Sequence, residues 1–425
     1  MQMAKRFVMV LVLGIVVMAI RAQEMAGEIV ATYTLGDVRI SELLDVENDR
    51  TILLGGIGSD MWRSADDEEG VFWVITDRGP NGQISVEDRN RRTFPIPDFT
   101  PLILQVQVEG EAINILQVIP VMAAEGVRAT GLSNIDGHDE KPWDYTAMEE
   151  LTYNQDGLDT EGLVRTADGN FWISEEYSPS IAVISPEGVI LKRFVPEGLA
   201  YDSTSYEVVA NLPAILATRR GNRGFEALAL SSDGSTLYAA VQSPLRNPDA
   251  DTGDASVNAR IIAFDIASET VVGEYVYQFQ PSIEFDGEDT PGEMKLSGLL
   301  YVNENTLIVL ERTDAVAKLY AVDLTSATNI LGTAWDDAAT APSLEANNDL
   351  SATDVTPLAK TLVIDLDTLE GTPDKIEGLA MVDSQTLAII NDNDFALGDF
   401  DAEGNVMNNG VQSQILYVRL AQPLE

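Results

Sequence analysis

The chain has 425 residues, with 69 acidic against 26 basic side chains, a formal net charge of −43, one histidine and no cysteine. So acidic a surface repels nucleic acid and anionic lipid. Disulfides and thiolate sites are excluded, and a single histidine cannot build a multi-histidine zinc centre within one chain.

Residues 1–22 read as a secretory signal. Lys5 and Arg6 precede an apolar run, Phe7 to Ile20, and Ala22 offers a small residue for cleavage. The run falls short of the roughly 20 residues a membrane span needs. The expectation is an exported chain, secreted or periplasmic, with no membrane span after processing. Next, "EIVATYTL" (28–35) reads as a strand that could close a ring against the C-terminal "QILYVRL" (414–420).

Further along, one pattern recurs. It appears loosely in "LGGIGSDMWRSADDEEGVFWVITDRG" (54–79), then in "TEGLVRTADGNFWISEEYSPS" (160–180) and "GFEALALSSDGSTLYAAVQS" (224–243). Two later copies are "KLSGLLYVNENTLIVLERT" (295–313) and "KIEGLAMVDSQTLAIINDND" (375–394). Each has a small residue, an apolar strand, a turn of Asp, Gly or Asn, and a second strand that stops in polar groups. Paired β segments follow each of the first four copies, rich in Val, Ile, Tyr and Phe. Starting points lie 65 (161 to 226), 71 (226 to 297) and 80 (297 to 377) residues apart. The fold class is therefore all-β: a β-propeller of four-stranded antiparallel blades. Six blades are favoured, with five and seven left open. One domain, 28–423, is expected, with a loop insertion near 122–160 filling the long gap between copies at 56 and 161. A short helix is read near Ala338–Ala346. His138, in "NIDGHDEKPWD", is read as an exposed loop residue. The acidic clusters "SADDEEG", "NPDADTGDA" and "FDGEDTPGE" are read as solvated loops, since none carries a full EF-hand pattern.

In a propeller the ends of the inner hairpins converge on the axis. The second strands end at Asp77-Arg78, Glu175-Glu176, Gln242-Ser243, Glu311-Arg312 and Asn391-Asp392, and the first strands start at Gly56, Glu161, Glu226, Ser297 and Glu377. Crowded carboxylates need a cation, an arginine or raised pKa values to persist. Oxygen-only ligands favour a hard cation, Ca²⁺ before Mg²⁺. The metal set is predicted among Glu161, Glu226, Glu311, Glu377, Asn391 and Asp392. Asp77, Glu175 and Glu176 are the candidate catalytic carboxylates. Arg78, Tyr177, Asn222, Arg223 and Arg312 are the candidate substrate-binding groups.

The segments "DTEGL", "FWISEEYSPSI", "NRGFEALAL", "LIVLERT", "DKIEGLA" and "IINDNDF", in this order, resemble the phytase-like family described as having esterase-like activity of phytase. "FWVITDRGPNG" and "TFPIPDFTPLILQVQV" extend the likeness from about Leu54 to Leu420. The family pattern more often has Gly where Ser178 and Ala227 stand. The resemblance implies a propeller, often secreted or periplasmic, with calcium dependence and an esterase or phosphoesterase activity as expectations. No lysine-rich phosphate surface is legible, so binding of a highly anionic substrate is expected to rely on bound calcium. The leading reading is a metal-dependent hydrolase of small phosphate or carboxylic esters. The alternative is a non-catalytic binding propeller with a structural Ca²⁺. Serine catalysis is disfavoured, because there is no GxSxG elbow and His138 is the only histidine. A monomer is expected.

Overall fold

The computed structural model describes residues 27–287 and 289–424. The expected signal, 1–22, lies outside them. The described chain is mostly β, and its strands pair into five antiparallel sets of four. The first set is Asp60–Trp62, Val71–Ile75, Leu102–Glu109 and Ala112–Pro120. The second is Thr160–Arg165, Phe171–Glu175, Ser180–Ile184 and Ile190–Pro196, with Glu207–Leu212 added in parallel at its edge. The third is Phe225–Leu230, Thr236–Val241, Asn258–Asp265 and Thr270–Gln278. The fourth is Lys295–Asn303, Thr306–Arg312, Ala317–Asp323 and Ala359–Asp365. The fifth joins Ile376–Asp383, Thr386–Asn391 and Gln414–Arg419 to the N-terminal strand Glu28–Leu35.

The first strands of the five sets neighbour one another in a closed cycle. This is the radial arrangement of a β-propeller. Among the described residues there is no sixth set. The ring is held by apolar layers between adjacent sets. Trp73, Ile75 and Ile103 of the first meet Phe171, Ile173 and Ala182 of the second. Phe72, Val74 and Leu104 face the other way, onto Ala388, Ile390 and Ile415 of the fifth. Equivalent layers join second to third, third to fourth and fourth to fifth. Successive residues of a strand point to opposite faces, and here both faces are covered. That is why the inner strands read as unbroken apolar runs such as "VFWVI" and "TLIVL".

Two insertions decorate the ring. Gly82–Val86, Arg89–Phe94 and Pro142–Asp144 form a small sheet, a flap whose Arg92, with nearby Asn81, reaches the axial cavity. The insertion expected at 122–160 is thus partly β: Pro142–Asp144 belongs to the flap, and Met122–Ala124 pairs with Val127–Arg128. The second insertion, 324–358, separates the last two strands of the fourth set. Its Ile330, Leu344, Leu350 and Val355 pack on Val276 of the third set. The helix read near Ala338–Ala346 is absent. Those residues form turns, and the nearest helical piece is the 3₁₀ turn Ala334–Asp336. Asp249, read as a loop acid, caps the short helix Ala250–Ala255 by accepting from Thr252 N–H at 2.9 Å. His138 is exposed in a turn, as read.

Candidate functional site

Antiparallel pairing brings the start of each first strand beside the end of the second, as in Thr160 opposite Glu175 and Lys295 opposite Arg312. At this edge four first strands carry a β-bulge, and the bulged residues are Glu161, Glu226, Ser297 and Glu377. A bulge re-aims a side chain out of the strand's alternation. Three of these four, Glu161, Glu226 and Glu377, line a cavity of about 190 Å³ on the ring axis. The glycine after the bulge has its own cause. A Cβ on Gly162 would sit 2.6 Å from Leu228 N, and one on Gly378 would sit 2.7 Å from Met61 N. The neighbouring first strand passes too close for any side chain.

The same cavity receives Asp77, Arg78, Glu176, Asn222, Arg223, Arg312 and Asp392. Six basic residues line it, Arg78, Arg92, Arg223, Lys295, Arg312 and Lys375, of only 26 in the whole chain. The sequence showed no basic surface because these residues are far apart in the chain. Lys295 and Lys375 were missed, although the signal was present: each stands two places before a bulged residue, in "KLSG" and "KIEG".

Cations and carboxylates alternate around the cavity. Arg78 Nη2 binds Asp159, Glu176 at 3.3 Å and the Asn222 side-chain oxygen. Arg312 pairs with Glu377 and donates from Nε to Ser297 Oγ at 2.8 Å. Lys375 reaches Asp392 at 3.1 Å and Asp394 at 2.5 Å. Arg223 donates to Ser243 Oγ at 2.9 Å and Gly292 O at 3.0 Å, and lies 3.5 Å from Glu293. Burial pushes the Glu377 carboxyl up to about 8 despite Arg312. Burial and the charges of Asp392 and Asp159 push Asp77 well above the usual range. Asp392 is held low, against burial, by Lys375 and the Asp394 backbone N–H.

One corner is compensated only in part, by Arg78. Asp159, Glu161 and Glu176 each offer a carboxylate oxygen within 4.8 Å of the others. Glu161 is 7% exposed and has no hydrogen-bond or ion-pair partner among the described residues. Glu176 Oε1 and Glu226 Oε2 are buried without a hydrogen-bond partner. Burial, then the charges of Glu226, Asp159, Glu176 and Glu377, push the Glu161 carboxyl well up. Orphaned carboxylate oxygens gathered in a concave site fit a hard divalent cation.

Other predicted site residues are placed elsewhere. Glu175 points away from the cavity, where Arg193 at 2.7 Å, Ser180 Oγ at 2.9 Å and Tyr177 N–H at 3.0 Å saturate it. Glu311 accepts from Tyr277 OH, from Gln280 N–H at 2.6 Å and from Lys360 at 2.6 Å. The Asn391 side chain is spent on backbone, accepting from Gln414 N–H at 2.7 Å and donating to Gln412 O at 3.1 Å. None of the three lines the cavity. Tyr177 does not line it either. Its OH donates to Gly131 O at 2.5 Å, and its ring lies under the Arg78 guanidinium, 5.1 Å away. Gly56, aligned in the sequence with the first-strand starts, precedes the strand; Asp60 begins it, and its carboxylate accepts from Leu163 N–H at 2.8 Å, linking two sets.

Among known proteins, an uncharacterized secreted protein of Arthroderma benhamiae is 29% identical over 256 residues. The match takes in 51% of this chain and spans about half, 50%, of that relative's length. Among solved structures, Kuenenia stuttgartiensis hydrazine synthase aligns over 80% of this chain and 78% of its own, at 12% identity and a TM-score of 0.36. A luciferin-regenerating enzyme aligns over 90% and 95%, at 10% identity and a TM-score of 0.36. Likeness at such scores says nothing of chemistry or blade number. The family "Phytase-like: Esterase-like activity of phytase" matches residues 52–395, most of the chain, and with it the hairpin ends that line the cavity. The chain therefore belongs to the phytase-like family.

Proposed function

We propose that this protein is an exported, single-domain, five-bladed propeller that hydrolyses small phosphate or carboxylic esters in its axial cavity with the help of a divalent cation, Ca²⁺ foremost. The observation that carries the reading is Glu161, a buried carboxylate without a partner among the described residues, beside Asp159 and Glu176 in a cavity where cations and carboxylates alternate. The five strand sets favour five blades over the six suggested by repeat spacing.

Asp159, Glu161 and Glu176 would hold the ion, with Glu226 close behind. When bound, it would polarise the ester and favour deprotonation of water. The chain's own groups account for the rest. Arg312, Lys295 and Lys375 present cationic donors to the substrate's anionic oxygens. Asp77 forms no ion pair among the described residues; Gly79 N–H donates to its Oδ1 at 2.8 Å and Asn81 Nδ2 lies 3.4 Å from Oδ2. Burial and the charges of Asp392 and Asp159 raise its pKa, which favours a proton at this carboxyl for the leaving oxygen.

Calorimetric titration of Ca²⁺ into chelator-treated protein, beside turnover of p-nitrophenyl phosphate and acetate, tests the reading. Glu161→Gln should lose ion binding and turnover together. Asp77→Asn should keep binding and lose turnover. Ion binding that raises the melting temperature while neither ester is turned over would favour the non-catalytic propeller. Turnover indifferent to both substitutions would overturn the assignment.

A further inference from the structure

The Arg78 guanidinium sits where the carboxylates converge, and its bonding there is lopsided. Nη2 alone meets three oxygens, from Asp159, Glu176 and the Asn222 amide. That nitrogen carries two hydrogens, one fewer than the acceptors it faces. Nε and Nη1 are buried with no hydrogen-bond partner among the described residues. An arginine in its preferred fork geometry shares two parallel bonds with one carboxylate. Here three oxygens from separate chain segments point at a single atom, the pattern of a coordination sphere.

We propose that Arg78 is an internal competitor for the cation: its Nη2 holds Asp159 and Glu176, two of the three carboxylates that a divalent ion would take, and the guanidinium is exchanged out when the ion enters. The proposal rests on the metal reading above and deepens it. The surroundings suit an exchange. Arg78 backbone N–H donates to Asp159 Oδ1 at 3.2 Å, so that ligand stays oriented when the side chain leaves. Asn222 has a left-handed backbone, φ +57, at a turn closed by Arg220 and Arg223, and this conformation aims its amide into the cavity. The Tyr177 ring, anchored at Gly131, gives the guanidinium a face to slide on. Glu140 on the flap offers a second seat. It already pairs with Arg92 at 2.8 Å, and its carboxyl is held low, against burial, by Arg92 and Arg78.

Exchange has two consequences. Without the ion, Arg78 keeps Asp159 and Glu176 from repelling each other. With the ion, a guanidinium with free donors is released at the cavity wall, so ion loading and anion binding are coupled.

The test is calorimetric titration of Ca²⁺ into chelator-treated full chain carrying wild-type Arg78, Arg78→Gln or Arg78→Lys. Removal of the competitor should tighten Ca²⁺ binding at least about tenfold in Arg78→Gln, and less in Arg78→Lys, whose single ammonium is a poorer match for the three oxygens. Arg78→Gln should melt below wild type in chelator and draw level at saturating Ca²⁺. Folding only in the presence of Ca²⁺ would support the proposal for the same reason. Should Arg78→Gln not fold under either condition, the Arg78→Lys affinity decides. Ca²⁺ binding that is unchanged or weaker in the variants overturns this inference and leaves the metal reading standing. No binding by wild type or variant overturns both.

Discussion

Glu175 and Glu176 are adjacent and identical, yet one is saturated and the other keeps an oxygen without a hydrogen-bond partner. Strand alternation separates them: Glu175, opposite Thr160, turns into the second set toward Arg193, and Glu176 turns to the axis. Alternation was available in the sequence, but the direction of the axis was not. Breaking the buried Glu175–Arg193 pair by Glu175→Ala should cost about 3–5 kcal/mol in denaturant titrations, without any ion dependence. Glu161 behaves in the opposite way. Burial and neighbouring carboxylates raise its pKa above the unfolded value, so its contribution to stability is present at low pH and is lost as pH rises through the folded value. In chelator, Glu161→Gln should therefore melt higher than wild type at about pH 8, with the gap closing toward about pH 5. A lower melting temperature at pH 8 would show that the carboxylate has a cationic partner after all.

At the scale of elements, the repeated hairpins were legible because each keeps a turn between two apolar runs. Their bulges were not, since a bulge shows only as "EG", "EA" or "SG" at a strand start. The glycine of this pair makes its own prediction. Gly378→Ala would press a methyl onto the Met61 and Asp60 backbone, and should cost about 1–3 kcal/mol by chemical denaturation. The 324–358 insertion was illegible because its apolar residues are sparse and irregularly spaced. It is pinned through charge as well as packing. Arg260 is buried between Glu274 at 2.5 Å and Glu345 at 2.8 Å, and also donates to Trp335 O at 3.1 Å. Burial pushes Glu274 up to about 7, Arg260 opposing and Asp336 adding to the shift. Its share of stability is thus present below its ordinary value of 4.5 and is lost as pH rises to about 7. The loss amounts to roughly 3 kcal/mol. Glu274→Gln should flatten the fall in melting temperature across that window. An unchanged slope would assign the pH dependence to other carboxyls.

For the molecule as a whole, the radial architecture was legible in the repeated hairpins, and the number of blades was not. The long gap between the copies at 56 and 161 was read as a loop insertion near 122–160, and it also holds the flap strands Gly82–Val86 and Arg89–Phe94. Regular spacing cannot distinguish a blade from an insertion of similar length. Charge was read correctly in total and in part in distribution: Arg78, Arg223 and Arg312 were placed at the axis, and Arg92, Lys295 and Lys375 were not. With a net charge of −43, unlike the cavity, the outer surface repels itself. Raising NaCl from about 10 mM to about 300 mM should raise the melting temperature of chelated protein by screening that repulsion. A fall would mean that the buried and half-buried ion pairs outweigh it.

The ring is closed by the pairing of Glu28–Leu35 with Gln414–Arg419, with Thr34 opposite Gln414. On the ribosome, the second of these strands emerges almost 400 residues after the first. Until then the fifth sheet lacks its outer strand, and the first and fifth sets have no shared layer of Leu104 and Ile390 to hold them. The circle can be completed only once Gln414–Arg419 has left the ribosome. An early strand left waiting is an open template for another chain. Whatever keeps that strand solitary during translation, its own polar alternation or a chaperone, decides whether the nascent protein becomes a ring or an aggregate.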